Sequence, residues 1–267
     1  MSDQPIGVFD SGIGGLGIFK AIQKLLPYES LIYFADRDRC PYGSKTQEEI
    51  RAITKSITVY LLDEHKVKMV VAACNTATVS SIEYLREQFP ELPIIGVVPV
   101  IKPASLLSQT GKIACLATDA TVKSEAQANL IQDYAVGQDV EVYNIACHGL
   151  VELIEKGLEN DEITEKLKEY LNPLSGREID AIALGCTHYT LIRPEVERLV
   201  PEGIRVMDSN EPVAKQVKRV LTEGDLLSQS QDRQYQYFVN GDTAHFNSLV
   251  QPILNGLFSE AQRVQMP

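Results

Sequence analysis

Residues 70–78 read VVAACNTAT, and residues 181–190 read AIALGCTHYT. Each stretch is an apolar run of strand character that ends at a cysteine, Cys74 in the first and Cys186 in the second. Small hydroxyl or amide residues follow each cysteine, and a helical pattern comes after them. A thiol placed where a buried strand becomes a loop, with helix N–H groups just beyond it, is well placed to be reactive. Two such positions in one chain predict two thiols that work as a pair.

The rest of the chain alternates short apolar runs with helical patterns. Strands are predicted at residues 6–10, 31–35, 69–73, 94–98, 112–117, 140–146, 179–184, 204–207 and 236–240. Helices are predicted at residues 16–26, 46–64, 79–88, 121–134, 150–156, 161–171, 194–200, 212–221 and 243–258. Thr46 and Glu49 have the spacing of a capping box at the start of the second helix. This alternation predicts an α/β fold with mainly parallel sheets flanked by helices.

The spacing of the predicted strands repeats along the chain. Strand ends fall at 10, 36 and 74 and again at 118, 147 and 186, so gaps of 26 and 38 residues are matched by gaps of 29 and 39. Strand–helix alternation alone would give loosely similar spacings, but we favour an internal duplication with two similar lobes. Each lobe would present a cysteine at the C-terminal edge of its sheet, where open α/β sheets bind ligands. If the lobes face each other, Cys74 and Cys186 lie on opposite sides of one cleft.

Composition argues against several classes of protein. The 267 residues carry a net charge of −11 without basic runs, which disfavours a general nucleic-acid-binding protein. The N-terminus lacks a signal-sequence pattern, and the apolar run at 92–101 is short and broken by Pro93 and Pro99. We therefore expect a cytoplasmic protein with no membrane partner. The odd count of five cysteines, the lack of a C-x-x-C pair and the four scattered histidines predict free thiols and no metal site.

The glycine-rich turn after the first strand permits more than one interpretation. Gly12, Gly14 and Gly17 have the G-x-G-x-x-G spacing of a dinucleotide-binding loop, and Asp36 ends the next strand. Asp10, however, places a carboxylate where a pyrophosphate would have to lie. The alternatives are a tight turn that only permits close helix packing, or a helix N-terminus that binds a small carboxylate with the help of Ser11.

The residues around the two cysteines suggest functional partners. Cys115 lies inside a predicted strand and is expected to be a small buried hydrophobic residue. His188 is two residues from Cys186 and could orient that thiol or shuttle its proton. Asp10 and Glu155 are candidate carboxylate partners, although either acid taken alone is more typical of a surface or capping residue.

Several of these motifs, taken in order, resemble the bacterial glutamate racemases of the aspartate/glutamate racemase family. The motifs are Asp10-Ser11-Gly12 with Gly14-Gly15-Leu16, Pro41-Tyr42-Gly43, Ala73-Cys74-Asn75-Thr76-Ala77 and Gly185-Cys186-Thr187-His188-Tyr189. Asp208-Ser209 and Gly241-Asp242 match later landmarks, so the resemblance runs nearly from end to end. It implies a racemase that interconverts L- and D-glutamate without a cofactor or a metal ion and supplies D-glutamate for peptidoglycan.

The resemblance also implies roles for individual residues. Cys74 and Cys186 would be the two proton carriers, with Cys186 deprotonating L-glutamate and Cys74 deprotonating D-glutamate. Asp10 would assist Cys74, and His188 with Glu155 would assist Cys186. The substrate would be held by Asp10, Ser11, Tyr42, Gly43, Asn75, Thr76, Thr187 and His188, with Thr118 and Thr121 near its carboxylates. The family further implies a homodimer. It also implies two lobes in each chain: a first lobe of residues 1–97, completed by the C-terminal segment 210–267, and a second lobe of residues 98–209.

Two segments depart from the family pattern. The usual Gly-Asp-Thr-Ala-Arg appears as residues 35–39, ADRDR, and the usual Cys-Pro-x-Phe-Val-Pro appears as residues 147–152, CHGLVE. The family glutamate is assigned to Glu155, but Glu152 is three residues away and stays an alternative. Three other functions also remain open: the same chemistry on aspartate or another amino acid, a dinucleotide-dependent oxidoreductase that uses Gly12–Gly17, and a racemase fold kept for binding a protein partner.

Overall fold

The computed structural model describes residues 2–97, 99–254 and 256–266. The strands are β1 (Ile6–Asp10), β2 (Leu31–Asp36), β3 (Met69–Ala72), β4 (Ile94–Gly96), β5 (Lys112–Ala117), β6 (Glu141–Ala146), β7 (Ala181–Gly185), β8 (Arg205–Met207), β9 (Tyr235–Asn240) and β10 (Gln262–Arg263). The α-helices are α1 (Leu16–Leu25), α2 (Gln47–His65), α3 (Asn75–Gln88), α4 (Ile101–Leu107), α5 (Asp119–Val122), α6 (Glu125–Tyr134), α7 (Leu150–Lys156), α8 (Asp161–Leu171), α9 (Thr187–Leu191), α10 (Arg193–Leu199), α11 (Asn210–Glu223) and α12 (Thr243–Leu254). The chain divides into two compact units, residues 1–97 with 210–267 and residues 98–209. The predicted α/β class, with two mainly parallel sheets flanked by helices, is confirmed.

The first unit is built on a sheet with the strand order β10-β9-β2-β1-β3-β4, and every pair in it is parallel. Strands β1, β2 and β3 are buried along their whole length, as expected for apolar strands in a parallel sheet covered by helices. Because parallel strands end at the same edge, the residues that follow β1, β2 and β3 come together. Asp10, Asp36 and Cys74 therefore lie along one edge of this sheet.

The second unit repeats this arrangement with four strands in the order β6-β5-β7-β8, again all parallel. Strands β5 to β8 take the places that β1 to β4 take in the first sheet. The matching order agrees with the internal repeat inferred from the strand spacing. Cys186 follows β7 as Cys74 follows β3, so each cysteine occupies the equivalent position in its own unit.

Several predicted helices have different bounds in the structure, and two of the differences are informative. The helix predicted from residue 79 begins at Asn75, because Cys74 is extended and the polar residues after it already take helical geometry. The helix predicted at 121–134 is divided into α5 and α6. The hydroxyl of Ser124 accepts a hydrogen bond from the Gln127 backbone N–H at 3.1 Å, which starts a new helix there.

Other differences concern elements that the sequence pattern did not indicate. α4 was not predicted; Pro103 lies in its first turn, where proline is tolerated. α9 and the short strand β10 were not predicted either.

Two predicted elements end earlier than expected. The strand predicted at 94–98 ends at Gly96, and Val98 lies outside the described residues. The last helix ends at Leu254 and does not continue to residue 258.

The predicted capping box at the start of α2 is confirmed. The Glu49 backbone N–H donates to Thr46 Oγ1 at 3.2 Å, and the Thr46 backbone N–H donates to Glu49 Oε2 at 2.7 Å. The backbone hydrogen bond from Thr46 is the main cause that lowers the pKa of the Glu49 carboxyl. The start of this helix is thereby fixed just after the Tyr42–Ser44 turn.

A buried ion pair joins three parts of the first unit at the edge where its strands begin. Lys68 Nζ lies 2.7 Å from Glu29 Oε2, and both side chains are almost fully buried. Lys68 also donates to the carbonyl of Leu226 at 2.7 Å, and Glu29 accepts from the Ser228 backbone N–H at 2.8 Å. The pair therefore anchors the C-terminal segment before β9, at the opposite edge of the sheet from Cys74.

The structure bears on two features considered from composition. All five cysteines are described, and none of them forms a disulfide, as predicted. Among the residues that the structure describes, none of the helices combines the length and the apolar character needed to cross a membrane.

Candidate active site

The first unit brings seven of the predicted site residues to the C-terminal edge of its sheet. They form what we call the first half-site: Asp10, Ser11, Tyr42, Gly43, Cys74, Asn75 and Thr76. Cys74 is the N-cap residue of α3, has extended backbone geometry and is 5% exposed. Its thiol lies 4.0 Å from the Ser11 hydroxyl oxygen. The positive end of a 14-residue helix favours negative charge at this sulfur.

The glycine-rich turn is folded tightly against the strands that carry this half-site. The Gly12 backbone N–H donates to Asp10 Oδ1 at 2.7 Å, so this N–H group of the turn is already hydrogen-bonded to the carboxylate. A Cβ on Gly15 would lie 2.9 Å from the Cβ atoms of Asp10 and Ala73. A Cβ on Gly17 would lie 2.7 Å from the side-chain amide of Asn210 at the start of α11. Close packing therefore accounts for Gly15 and Gly17 without a nucleotide.

Asn75 is buried in the first turn of α3 and is only 1% exposed. Neither its amide nitrogen nor its amide oxygen has a hydrogen-bond partner within the described part of the chain. A buried amide without hydrogen-bond partners costs free energy. The amide nitrogen and oxygen of Asn75 are therefore candidates to bind a polar group of a ligand.

Tyr42 is buried beside the first cysteine. Its 3₁₀ turn, Tyr42–Ser44, packs against α3, and its ring belongs to the same apolar cluster as Cys74. The hydroxyl donates a hydrogen bond to Asp36. Burial first, and then the negative charge of Asp36, raises the pKa of Tyr42 well above the ordinary tyrosine value. Tyr42 therefore stays neutral and acts as a fixed hydrogen-bond donor.

The second unit forms a corresponding second half-site, which consists of Thr118, Thr121, Glu155, Cys186, Thr187 and His188. Cys186 is the N-cap residue of α9 with extended geometry, as Cys74 is for α3. The Thr118 hydroxyl accepts from the Thr121 backbone N–H at 3.3 Å and lies 3.1 Å from the Thr121 hydroxyl, where it caps α5. These hydroxyl groups lie at the C-terminal edge of the second sheet.

A buried histidine–carboxylate pair lies next in sequence to the second cysteine. His188 Nε2 is 2.7 Å from Glu155 Oε1, and the histidine side chain is 1% exposed. Glu152 lies three residues earlier on α7 and is exposed. The partner of His188 in the structure is therefore Glu155. A carboxylate at this distance fixes the ring orientation.

Cys115 and Cys147 have different surroundings from Cys74 and Cys186. Cys115 is fully buried inside β5, and burial raises its pKa to about 12. Burial also raises the pKa of the Cys147 thiol strongly, with a smaller effect from Cys186. The Tyr189 hydroxyl donates to the Cys147 carbonyl at 3.1 Å, which ties the segment after β6 to α9. Cys115 and Cys147 are thus structural thiols.

Sequence reasoning missed three residues that lie around Tyr42. Arg39 and Asn240 both donate hydrogen bonds to the carboxylate of Asp36, the acceptor of the Tyr42 hydroxyl. In the sequence, Asp36 belongs to the dinucleotide pattern and to the segment at 35–39 that departs from the family pattern, and neither indicates this network. The pairing of β2 with β9, which sets Asp36 opposite Asn240, could have suggested this network, but it is not visible in the sequence alone.

Comparison with known proteins identifies the family. The model of the Asp/Glu/hydantoin racemase family matches residues 15–217 of this chain. The chain belongs to this family. The prediction from the motifs is confirmed, and the racemase family is a family of isomerases, which is a different class from the dinucleotide-dependent oxidoreductases.

Relatives of this racemase family match along nearly the whole chain. A glutamate racemase from Herpetosiphon aurantiacus is 43% identical over 253 residues, which cover 94% of this chain and 98% of that relative. The crystal structure of a glutamate racemase from Bacillus anthracis has a TM-score of 0.88 at 29% identity and covers 100% of this chain and 98% of its own. The structure of Escherichia coli glutamate racemase in complex with L-glutamate and the activator UDP-MurNAc-Ala has a TM-score of 0.87 at 32% identity and covers 99% of each chain.

Proposed function

We propose that this protein interconverts L-glutamate and D-glutamate by two-base proton transfer at the α-carbon, with Cys74 and Cys186 as the two carriers and no cofactor. The observation that carries the proposal is the repeated position of the cysteines. Each is the N-cap residue of a helix that follows the equivalent strand of one of two similar sheets. Both half-sites would act on one bound glutamate, one from each face of its α-carbon. Close similarity to glutamate racemases supports glutamate as the substrate.

The chemistry requires a base on one face of the α-carbon and an acid on the other. In one direction the Cys186 thiolate takes the α-proton of L-glutamate, and the electron pair of the broken C–H bond stays on the substrate as a carbanion. The Cys74 thiol then gives its proton to the opposite face, which yields D-glutamate and leaves Cys74 as the thiolate. The reverse reaction exchanges the two roles. The α-carbon loses one proton and gains one proton, and its oxidation state does not change. The reaction therefore needs no redox partner.

The surroundings of each cysteine suit this exchange of roles. The positive end of α3, with Ser11 beside it, supports negative charge at Cys74, and Asp10 would assist proton transfer there. On the other side, His188 held by Glu155 would support the thiolate of Cys186 and receive or return its proton. The developing charge on the substrate needs preorganised donors, which backbone N–H groups and the side chains of Ser11, Asn75 and Thr187 would supply.

The unpaired amide of Asn75 leads to a direct prediction. We expect Asn75→Ala to raise the KM for glutamate at least about tenfold, because the amide would bind a polar group of the substrate and nothing in the described chain replaces it. The thermal midpoint should stay the same or rise, since the variant removes a buried amide that has no protein partner. Steady-state kinetics and thermal unfolding measure both effects.

Ser105→Ala is the matched control for Asn75→Ala. Ser105 is 3% exposed and its hydroxyl also has no partner among the described residues, but it lies on α4, outside both half-sites. Its removal should leave the KM unchanged. A wild-type KM in Asn75→Ala would exclude the amide from substrate binding.

The test of the function is incubation of the purified enzyme with L-glutamate in deuterated water without added cofactor. We expect D-glutamate with deuterium at the α-carbon, detected by NMR and by chiral chromatography. L-Aspartate in a parallel reaction should turn over far more slowly. Turnover of aspartate alone would assign the same chemistry to a different substrate, and tight binding of NAD in calorimetry without racemisation would replace the proposal with the oxidoreductase alternative.

The cellular setting is part of the same proposal. D-Glutamate would be made in the cytoplasm for peptidoglycan synthesis, and the enzyme would act as a homodimer without a nucleic-acid or membrane partner. Sedimentation measurements with and without glutamate test the dimer, and D-glutamate dependence of a strain that lacks the enzyme tests the role in the cell wall.

A further inference from the structure

A buried carboxylate organises the loop after β2. Asp36 is the last residue of β2 and has no exposed surface. Its carboxylate accepts from Arg39 Nε at 2.8 and 3.0 Å, from the Tyr42 hydroxyl and from the side-chain amide of Asn240. Arg39 balances its charge, and the three donors satisfy most of its acceptor capacity. We call Asp36, Arg39, Tyr42 and Asn240 the Asp36 network.

Asn240 brings the C-terminal segment into this network. It ends β9 and is paired in register with Asp36 across the sheet. Its amide nitrogen donates to Asp36, and its amide oxygen accepts from the Asp38 backbone N–H at 3.2 Å. Gly241 follows with a φ of +107°, and a Cβ there would lie 2.7 Å from Asp38 Oδ1. One side chain of the C-terminal segment thus holds two points of the loop that leads to Tyr42.

The network ends at the first half-site. Tyr42 is 1% exposed, its turn packs against α3, and its ring shares an apolar cluster with Cys74. The ring is therefore fixed by apolar packing on one side and by the hydrogen bond to Asp36 on the other. Asn240, Asp36 and Tyr42 form one continuous chain of hydrogen bonds that ends in the apolar cluster of Cys74.

We propose that Asp36 and Asn240 are positioning residues that set the Tyr42-Gly43 loop for substrate, so that the C-terminal segment tunes the affinity of the first half-site for glutamate. The inference rests on the proposed function, in which Tyr42 and Gly43 bind the substrate. It adds two residues that act through Tyr42 and do not themselves touch glutamate.

Exchange of the two network residues provides the test. Asp36→Asn leaves one acceptor oxygen for the donors of Arg39, Tyr42 and Asn240 and removes the charge that Arg39 balances, whereas Asn240→Asp would set two carboxylates against each other. The double variant, Asp36→Asn with Asn240→Asp, restores one donor opposite one acceptor and keeps one negative charge near Arg39. We expect each single variant to raise the KM for glutamate at least about tenfold with kcat within about threefold of the wild type. The double variant should return the KM to within about threefold.

Two further variants keep the test decisive. Tyr42→Phe removes only the hydroxyl that Asp36 accepts from, retains the buried ring, and should raise the KM several-fold even if a single exchange variant fails to fold. Glu29→Gln weakens the ion pair with Lys68, which anchors the same C-terminal segment at the opposite edge of the sheet. It should lower the thermal midpoint and leave the KM unchanged.

The possible results separate this inference from the proposed function. A wild-type enzyme that does not racemise glutamate overturns the proposed function. An active wild type whose single variants keep the wild-type KM overturns the positioning role alone. A double variant that is no better than the worse single variant, or a Glu29→Gln enzyme with an equally raised KM, also overturns it, because KM would then follow stability and not the network.

Discussion

Cys74→Ala and Cys186→Ala should each reduce racemisation by about 10⁴-fold, because each removes the acid or base on one face of the α-carbon. The loss should appear in kcat for both directions, since every full turnover uses both thiols. Chiral chromatography of reactions started from each enantiomer measures it. Cys115→Ala is the control: that thiol lies inside β5, its pKa is raised to about 12 by burial, and its removal should leave kcat unchanged.

Partial reactions of the same variants distinguish the roles of the two thiols. The Cys74→Ala enzyme keeps Cys186 and should exchange the α-proton of L-glutamate with deuterated water without forming D-glutamate. The Cys186→Ala enzyme should do the same with D-glutamate. The reverse pattern would exchange the two assignments, and wild-type racemisation in both variants would refute the two-thiol mechanism.

The second large effect is expected at the buried histidine–carboxylate pair. We predict that His188→Gln lowers kcat by about 10³-fold, within the range for loss of a general acid–base group. Glu155→Gln should lower it by about tenfold, because the amide oxygen can still accept from the ring at the 2.7 Å contact but the stronger, charge-assisted hydrogen bond is lost. Steady-state kinetics in both directions measure these losses.

Glu152→Gln is the matched control for Glu155→Gln. Both acids lie on α7, three residues apart, but Glu152 is exposed whereas Glu155 is 9% exposed and contacts His188. The Glu152 variant should keep the wild-type kcat. If it were as impaired as Glu155→Gln, the hydrogen bond to His188 would not be the reason that Glu155 matters.

The sequence predicted the elements whose residues carry a strong local pattern. The apolar runs that precede Cys74 and Cys186 are strands, as predicted, because buried parallel strands need continuous apolar sequence. The capping box at Thr46 was equally clear, since both of its hydrogen bonds are made by residues three apart. Local spacing was sufficient in these cases.

The elements that the sequence did not reveal depend on contacts between distant residues. α4 is a seven-residue helix with Pro103 in its first turn, and no local pattern predicted it. Asn240 reaches Asp36 only because β9 pairs with β2, across 204 positions of the chain. Likewise, only the fold shows that His188 contacts Glu155 and that Glu152 faces solvent. Strand order and helix facing decide these contacts, and periodicity does not encode them.

The division of the chain sets the order in which the strands of the two sheets become available during synthesis. Residues 98–209 form the second unit from one continuous segment. All four strands of its sheet are therefore available to pair as soon as that segment has left the ribosome. The first unit must wait, because β2 lacks its neighbour β9 until residue 240 has been made. Until then β2 is an open sheet edge, a template for pairing with other chains. The half of the enzyme that is translated first is therefore the half that is completed last.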